Sequence, residues 1–417
     1  MIQTPRQIHA MRNTRSLILS LITGLVLAVG FSAACSDDNS GNAVTQEDPK
    51  AAEARRDVLA NLGENVIFAT YVEFEQKVQV LQTKTDAYAA SLDSADHEAA
   101  KVAWSDAMQV WQRAEMFQVG PAGAMGAAVA GEDLRDQIYS WPLTNGCRVD
   151  QEVVEKDYAD PTAFASEAIN VRGLDALEYL LFNAGTENAC TPQSTINTDG
   201  SWSALDESEL TKRRAEYAHT LAIDLNRSAT TLREMWDPQE GNFLAEFSTA
   251  GAGSKTFMTS QEALNAVSDA MFYLDKEVKD MKLARPAGLS ECVDDVCPDK
   301  RESPWADQSL DHVRQNLVAF QLLFSGGDAN DPDAPGFDDL IRGMGVEQLA
   351  DDMNTRIAAA LAAIDAVEGT MVEALADDPQ SVVDVFDATK AITDLYKSQF
   401  FDVLDLEVPN RGEGDND

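Results

Sequence analysis

Histidine is scarce in this 417-residue chain, which has only four copies. Beyond the first 34 residues there are three, His97, His219 and His312, and no His-Glu-x-x-His pair occurs. A zinc peptidase needs imidazole ligands and a carboxylate that activates water. We predict that the three histidines lie at helix ends or on the surface and are not ligands. Catalytic zinc is therefore not expected.

Other functional signatures are also absent, and basic residues are outnumbered by acidic ones. The chain has no Gly-x-Ser-x-Gly nucleophile motif and no Cys-x-x-Cys pair. Gly123, Gly126 and Gly131 do not form a phosphate-binding loop, because no predicted strand precedes them and no Lys-Ser/Thr pair follows them. Its 32 Lys and Arg face 71 Asp and Glu, a formal net charge of −39. Such a surface repels nucleic acid and anionic lipid. Nucleic acid is therefore excluded as a partner, and membrane contact is expected only through an anchor.

The N-terminal residues have the pattern of a signal that targets a protein to the cell envelope. A stretch with three arginines precedes an apolar run over 16–31 and the small residues 32–34. This resembles the signal peptide of a bacterial lipoprotein, in which the next residue, here Cys35, carries the lipid. We predict a signal peptide over 1–34 and a lipid anchor with a polar tether over 35–52. Ordinary secretion without lipid is the alternative.

The remaining cysteines support an oxidising compartment. If Cys35 is lipidated, four of the five cysteines are left, an even number that suits disulfide bonding. We predict Cys147–Cys190 as a long staple and Cys292–Cys297 as a local clip. The expected location is the cell envelope facing the periplasm, with the outer membrane preferred to the inner.

Helical periodicity dominates the rest of the chain. Ala, Leu, Glu and Asp are frequent, and alternating runs of Val, Ile and Thr are absent. We therefore predict an all-α protein. Apolar residues recur at helical spacing in eight segments: 53–90, 96–118, 163–183, 205–236, 260–281, 305–325, 345–375 and 379–404.

The chain also contains an internal repeat. Segments 171–185 and 313–327 share Val-Arg, Leu-Leu-Phe and Gly at the same spacing. Neighbouring predicted helices recur at nearly the same offset, which predicts two four-helix bundles related by duplication. We place them at 53–240 and 241–406, with an acidic tail at 407–417. Chance similarity between helices of like composition is the alternative.

Two carboxylates interrupt the apolar helix of the first repeat. Asp175 and Glu178 lie one helical turn apart on one face, and Arg172 lies three residues before Asp175 on the same face. Buried ionised groups need a partner or a metal. One interpretation is an Arg172–Asp175–Glu178 ion-pair ladder, and the other is a metal site. The second repeat carries Leu317 and Phe320 at the two acidic positions, which favours a site.

Three sequence blocks, in order, resemble the imelysin family. The first contains Glu115 before a Gly-Pro turn, the second contains Trp141-Pro142 and is followed by Asp150, and the third is a Gly-x-x-x-x-Glu segment running into Tyr-Leu-Leu-Phe. The resemblance covers about residues 55–405. It implies two helical bundles, a place in the bacterial envelope and an association with iron uptake. A metallopeptidase label also accompanies the family.

The resemblance assigns roles to particular residues. Gly173 and Glu178 match the family signature Gly-x-His-x-x-Glu, but Asp175 stands at its His position. An all-oxygen ligand set suits a hard cation, with iron expected first and calcium second. The predicted metal ligands are Glu115, Asp150, Asp175 and Glu178. The predicted supporting residues are Arg172, Gly173 and Trp141.

These inferences predict an imelysin-type envelope lipoprotein that binds a metal or a metal-bearing ligand in service of iron uptake, without catalysis. Its expected partners are that ion or small ligand and envelope iron-uptake proteins. Two alternatives stay open. One is a metallopeptidase, and the other is an acidic scaffold that recruits another envelope protein.

Overall fold

The computed structural model describes residues 48–328 and 333–407. The predicted signal peptide, Cys35, most of the tether and nearly all of the acidic tail lie outside these residues. Within them all regular structure is helical and no strand occurs, so the all-α prediction is confirmed. No helix in this part of the chain combines the length and the apolar character that crossing a bilayer requires.

The first half of the described chain contains nine α-helices, some long and some of only a few residues. The α-helices are α1 (Pro49–Asn61), α2 (Ala69–Ser91), α3 (Ser94–Ala114), α4 (Leu134–Ile138), α5 (Gly146–Glu155), α6 (Pro161–Phe164), α7 (Gly173–Phe182), α8 (Thr195–Thr198) and α9 (Glu207–Trp236). A π-helical segment, Leu62–Phe68, joins α1 to α2. Short 3₁₀ turns lie at Gly120–Ala122, Asp157–Ala159 and Ile169–Val171.

The second half follows the same helical style. Its α-helices are α10 (Phe243–Ser248), α11 (Ser260–Met271), α12 (Ser309–Ser325), α13 (Phe337–Gly343), α14 (Glu347–Asp365), α15 (Met371–Asp377), α16 (Pro379–Leu395) and α17 (Phe401–Leu404). Two further π-helical segments, Leu274–Ala284 and Tyr396–Phe400, follow α11 and α16, and a 3₁₀ turn lies at Pro298–Lys300.

Helix starts follow ordinary capping chemistry. The Asp206 side chain accepts from the backbone N–H of Glu209 at 2.8 Å and caps the start of α9. Thr259 forms a capping box with Glu262 at the start of α11. These caps satisfy backbone N–H groups in the first turn of a helix, which have no partner within the helix itself.

The long predicted helices are present, but the interval 119–162, which separates two of the predicted helical segments, also contains helices. It contains α4 and α5 and the start of α6, and the predicted helix 163–183 begins in earnest only at Gly173. The predicted 345–375 helix is interrupted between α14 and α15. Helices as short as α5 depend on tertiary contacts, so local periodicity detects them poorly.

Two sets of helices surround the core. In one, α2 packs against α3 and α9, and α7 packs against α9 and α3; in the other, α12, α14 and α16 pack with the Leu274–Ala284 segment. Helix α3 also packs against α12, which brings the two sets into contact. All described residues belong to one compact unit. The duplication and the boundary near residue 240 stay predictions.

Candidate functional site

Helix α7 begins under tight steric limits. Gly173 has φ +84°, and a Cβ placed there would lie 2.7 Å from the Ile138 carbonyl oxygen. Only glycine accepts both the left-handed conformation and this close approach. Every residue from Gly173 to Leu181 is buried, so Asp175 and Glu178 lie in the interior and need polar partners there.

Asp175 binds the segment that contains Trp141 and Pro142. Its Oδ2 accepts from the Ser140 hydroxyl at 3.0 Å and from the Thr144 hydroxyl, and its Oδ1 accepts from the Ala176 N–H at 3.0 Å. Burial raises the pKa of Asp175 to about 6 although these hydrogen bonds oppose the shift. Asp175 therefore fastens residues 140–144 to α7.

Glu178 binds a segment from the second half of the chain. Its Oε1 accepts from the Ser303 hydroxyl at 2.7 Å and from the backbone N–H groups of Trp305 at 3.1 Å and Ala306 at 2.9 Å. Burial raises the pKa of Glu178 to about 7, and these donors together with His312 offset part of the rise. The carboxylate thus caps the turn that leads into α12.

Glu302 lies at the centre of the same region. Its Oε1 accepts from Lys282 Nζ at 2.9 Å, the Tyr139 hydroxyl at 2.8 Å and Gln112 Nε2 at 3.0 Å. Its Oε2 lies 3.2 Å from His312 Nδ1. Burial by itself would raise the pKa of Glu302, but Lys282 and His312 outweigh it and lower the pKa to about 2. Glu302 is therefore an ionised carboxylate in the interior.

Lys282 supplies a buried ammonium to this cluster. Besides Glu302, its Nζ contacts Gln112 Oε1 at 2.7 Å, Asn316 Oδ1 at 2.9 Å and Glu115 Oε2 at 3.2 Å. The side chain has no solvent exposure. An ammonium surrounded by four oxygens takes the electrostatic role that a metal would otherwise have beside Glu115.

Arg135 completes the surroundings of Glu115. Its Nη2 donates to Glu115 Oε1 at 2.6 Å and to the Trp141 carbonyl oxygen at 3.1 Å. The Trp141 ring centroid lies 5.6 Å from Lys282 Nζ, within the range of a cation–π contact. Trp141 therefore lies against the cluster, and its supporting role in metal binding stays a prediction.

Asp150 and Arg172 have other partners. Asp150 Oδ2 accepts from the Tyr179 hydroxyl at 2.6 Å and from the Ala189 N–H at 2.7 Å. Arg172 Nε donates to Asp224 Oδ2 at 2.7 Å. The predicted Arg172–Asp175–Glu178 ladder is therefore wrong. The pattern of charges along one helix could not reveal that α9 supplies the acid.

The four predicted ligands do not form one cluster. In the described parts of the chain, one group of three or more His, Cys, Asp or Glu side chains brings its ligand atoms within 4.8 Å of one another, and it contains none of the four. Glu115, Asp150, Asp175 and Glu178 each have the protein partners given above. Metal binding by this set of four stays a prediction.

Sequence analysis missed three important residues. Lys282 and Glu302 stand in segments that carried no motif, and their partners lie far away along the chain. His312 does lie in the first turn of α12, as a helix-end residue, but it is fully buried and not on the surface. Its position directly before the second repeat, 313–327, was the one feature of the sequence that could have pointed to it.

Both disulfides are present as predicted. Cys147 is bonded to Cys190, and Cys292 is bonded to Cys297. The first bridge joins the start of α5 to the segment that follows α7. It therefore holds the neighbourhood of Asp150 beside the helix that carries Asp175 and Glu178.

The described chain is all-helical, and α7 carries two buried carboxylates, Asp175 and Glu178. The chain belongs to the imelysin family, designated Peptidase_M75, whose sequence profile matches residues 67–399.

Relatives agree with this assignment. The chain is 22% identical over 265 residues to iron-regulated protein A of Synechococcus elongatus, an alignment that covers 63% of this chain and 62% of that protein. The matched region thus spans less than two thirds of that curated relative.

Two solved structures share the fold. One is described as an iron-regulated protein A precursor from Parabacteroides distasonis, with 18% identity, a TM-score of 0.64, and coverage of 84% of this chain and 95% of that one. The other is an imelysin-like protein from Psychrobacter arcticum, with 17% identity, the same TM-score, and coverage of 86% and 97%. At these identities the likeness shows the fold alone.

Proposed function

We propose that this protein binds an iron ion, free or carried by a small ligand, in the buried cluster around Glu178, Glu302 and His312, in service of iron uptake and without catalysis. The name of its Synechococcus relative, iron-regulated protein A, supports the choice of iron. The charge balance of the cluster supports binding of a cation.

The observation that carries the proposal is an excess of buried acid. Four carboxylates belong to the cluster, those of Glu115, Asp175, Glu178 and Glu302, and two permanent cations oppose them, Lys282 and Arg135. With all four carboxylates ionised, four negative charges against two positive charges leave a formal charge of −2, which protons on Asp175 and Glu178 reduce at lower pH. Buried charge is costly unless protons or a cation neutralise it. A divalent or trivalent ion would supply that compensation.

Atoms suited to an ion are available in the cluster. His312 Nε2 is buried and has no hydrogen-bond partner among the described residues, and the one contact given for the buried Glu302 Oε2 is its ion pair with His312 Nδ1 at 3.2 Å. Carboxylate oxygen and imidazole nitrogen are common ligands of iron. The residue types therefore fit the ion that the relative's name suggests.

Binding requires a local rearrangement. In the described structure the ligand atoms of Glu178, Glu302 and His312 are not all within 4.8 Å of one another. Glu178 would exchange its hydrogen bonds to the 303–306 segment for the ion. Ion binding is thereby coupled to the turn that begins α12.

Burial supports binding without peptide hydrolysis. Glu178 is 1% exposed and Glu302 is 2% exposed. A peptide bond has no access to side chains so enclosed, and the Glu178 oxygen that would activate water already accepts three hydrogen bonds. This burial favours the binder over the metallopeptidase.

Calorimetric titration of metal-stripped protein with ferric citrate, ferrous iron, zinc and calcium tests the proposal. We expect one saturable iron site whose affinity falls at least tenfold in Glu178→Gln and in Glu302→Gln. The charge-matched control Asp387→Asn, at an exposed position, should bind as the wild type does.

Three other results would lead elsewhere. Loss of the site in Asp150→Asn would favour the four-carboxylate set predicted from sequence. Proteolysis of a casein substrate that disappears in Glu178→Gln would favour a peptidase. No saturable iron binding would overturn the proposal and leave the cluster as an ion-pair core.

We also propose that Cys35 anchors the protein to the envelope. The two disulfides support an oxidising compartment. Mass spectrometry of the mature N-terminal peptide should find a diacylglyceryl group on Cys35, and an unmodified N-terminus there would refute the anchor.

A further inference from the structure

A second acidic group lies at the C-terminal end of α5. Glu152 and Glu155 belong to the helix, and Asp157 begins the 3₁₀ turn that follows. Each offers a carboxylate oxygen, and these oxygens lie within 4.8 Å of one another. The helix ends at Glu155, and the φ of +65° at the next residue, Lys156, turns the chain so that Asp157 comes back beside the helix.

One of these carboxylates is buried with an unused oxygen. Glu152 is 1% exposed, and its Oε1 accepts from Arg148 Nη2 at 2.8 Å. Its Oε2 is buried and has no hydrogen-bond partner among the described residues. An ionised oxygen left without a donor in the interior is strongly unfavourable. This atom therefore indicates a missing positive partner.

The neighbouring charges do not provide that partner. Lys156 Nζ points to Glu216, 3.6 Å away, and Arg213 binds Glu209 and the carbonyl oxygens of residues 153 and 154. Arg148 is thus the one cation that the structure pairs with Glu152.

The local field is strongly negative. Asp157, Glu155 and Glu167 place negative charge around the Glu152 carboxylate, and Arg148 opposes them. The negative end of the α5 dipole also lies here. Both effects favour a bound cation.

We propose that Glu152, Glu155 and Asp157 bind one hard divalent cation of the calcium class. Calcium takes carboxylate oxygens at about 2.4 Å, so two oxygens on one ion lie at most about 4.8 Å apart. The group offers oxygen ligands alone, which favours calcium over zinc or copper. Two of the three residues, Glu155 and Asp157, are exposed, so an ion can reach the site from solvent.

The proposed ion would brace α5 at the end that the disulfide does not hold. Cys147, at the start of the helix, is tied to Cys190. Thr144, just before the helix, binds Asp175. The calcium site would therefore stabilise α5, the helix that follows the segment containing Trp141. This proposal does not depend on iron binding at the buried cluster.

Terbium luminescence on the full mature protein tests the site, because Tb³⁺ substitutes for Ca²⁺ and is sensitised by a nearby aromatic ring. Tyr158 follows Asp157 directly and stacks on Tyr217 with ring centroids 4.8 Å apart. We expect saturable sensitised emission that Ca²⁺ displaces. Calcium at a concentration well above the dissociation constant stabilises the folded state. The melting temperature in 10 mM Ca²⁺ should therefore be about 2–4 °C higher than the melting temperature in EDTA.

Variants separate this site from general acidity. Glu155→Gln with Asp157→Asn should abolish both the emission and the calcium-dependent shift. The matched control, Glu368→Gln with Asp387→Asn, removes the same charge from other exposed positions and should retain both. Emission that survives in the first variant, or is absent from the wild type, would overturn the proposal. Glu178→Gln should leave the emission unchanged, so failure of the iron site would not mimic failure here.

Discussion

At the residue scale, two acids on one helix face have different chemical surroundings. Hydroxyl groups donate hydrogen bonds to Asp175, whereas two of the donors to Glu178 are backbone N–H groups. Both are nearly free of solvent, and burial raises the pKa of each. The same property that makes them candidate ligands therefore makes them pH-sensitive.

We predict that these two acids lower the stability of the protein as pH rises from about 5 to about 7. The folded state holds protons on Asp175 and Glu178 up to about pH 6 and 7, whereas the unfolded chain releases them near pH 4. At about 1.4 kcal/mol per pKa unit, their combined contribution should fall by roughly 2–4 kcal/mol over that range. Urea unfolding at a series of pH values measures it.

Amide variants provide the control for this pH effect. Asp175→Asn with Glu178→Gln cannot titrate, so its unfolding free energy should change less between pH 5 and 7 than that of the wild type. Identical slopes would show that other groups cause the dependence. Below about pH 4.5, Glu302 acts in the opposite direction, because its low folded pKa makes stability fall as pH decreases.

At the element scale, α5 shows how a short helix is held by its surroundings. It has ten residues, too few to be stable alone in water. Cys147 ties its first turn to Cys190, and Asp150 in its middle binds Tyr179 of α7. Helical periodicity did not predict a helix in this region, whereas cysteine pairing did indicate a constraint there.

We predict that the two disulfides stabilise the protein unequally. The Cys147–Cys190 bridge spans 43 residues and the Cys292–Cys297 bridge spans 5. In the chain-entropy model these spans correspond to about 4 and about 2 kcal/mol. Paired Cys→Ser variants, compared by guanidinium unfolding, should preserve this order. A larger loss from the 292/297 pair would contradict it.

At the scale of the whole molecule, the buried cluster joins helices from distant parts of the chain. Lys282 lies in the segment after α11, Glu115 and Gln112 lie at the end of α3, and Asn316 lies on α12. Helices α3 and α12 are in contact, and Asn316 of α12 donates to the Gln112 carbonyl oxygen of α3. The two helix sets therefore share polar partners as well as apolar packing.

We predict that Lys282→Met destabilises the folded protein by about 3–5 kcal/mol, since it leaves the Glu115 and Glu302 carboxylates buried without their ammonium partner. Equilibrium unfolding in urea measures the loss. Adding Glu302→Gln to that variant should recover part of it, because one uncompensated charge is removed. A loss below about 1 kcal/mol would show that the ammonium is not needed.

The sequence by itself determined the helical class, both disulfide pairs and the family. Those inferences rest on helical periodicity, on cysteine parity and on short motifs, all of which are local in the chain. Tertiary structure alone decided which charges meet. Glu178 finds Ser303 at a separation of 125 residues, and Lys282 finds Gln112 at 170. A buried charge is satisfied by whatever donor the packing of distant helices brings within about 3 Å, and local spacing carries no information about that donor.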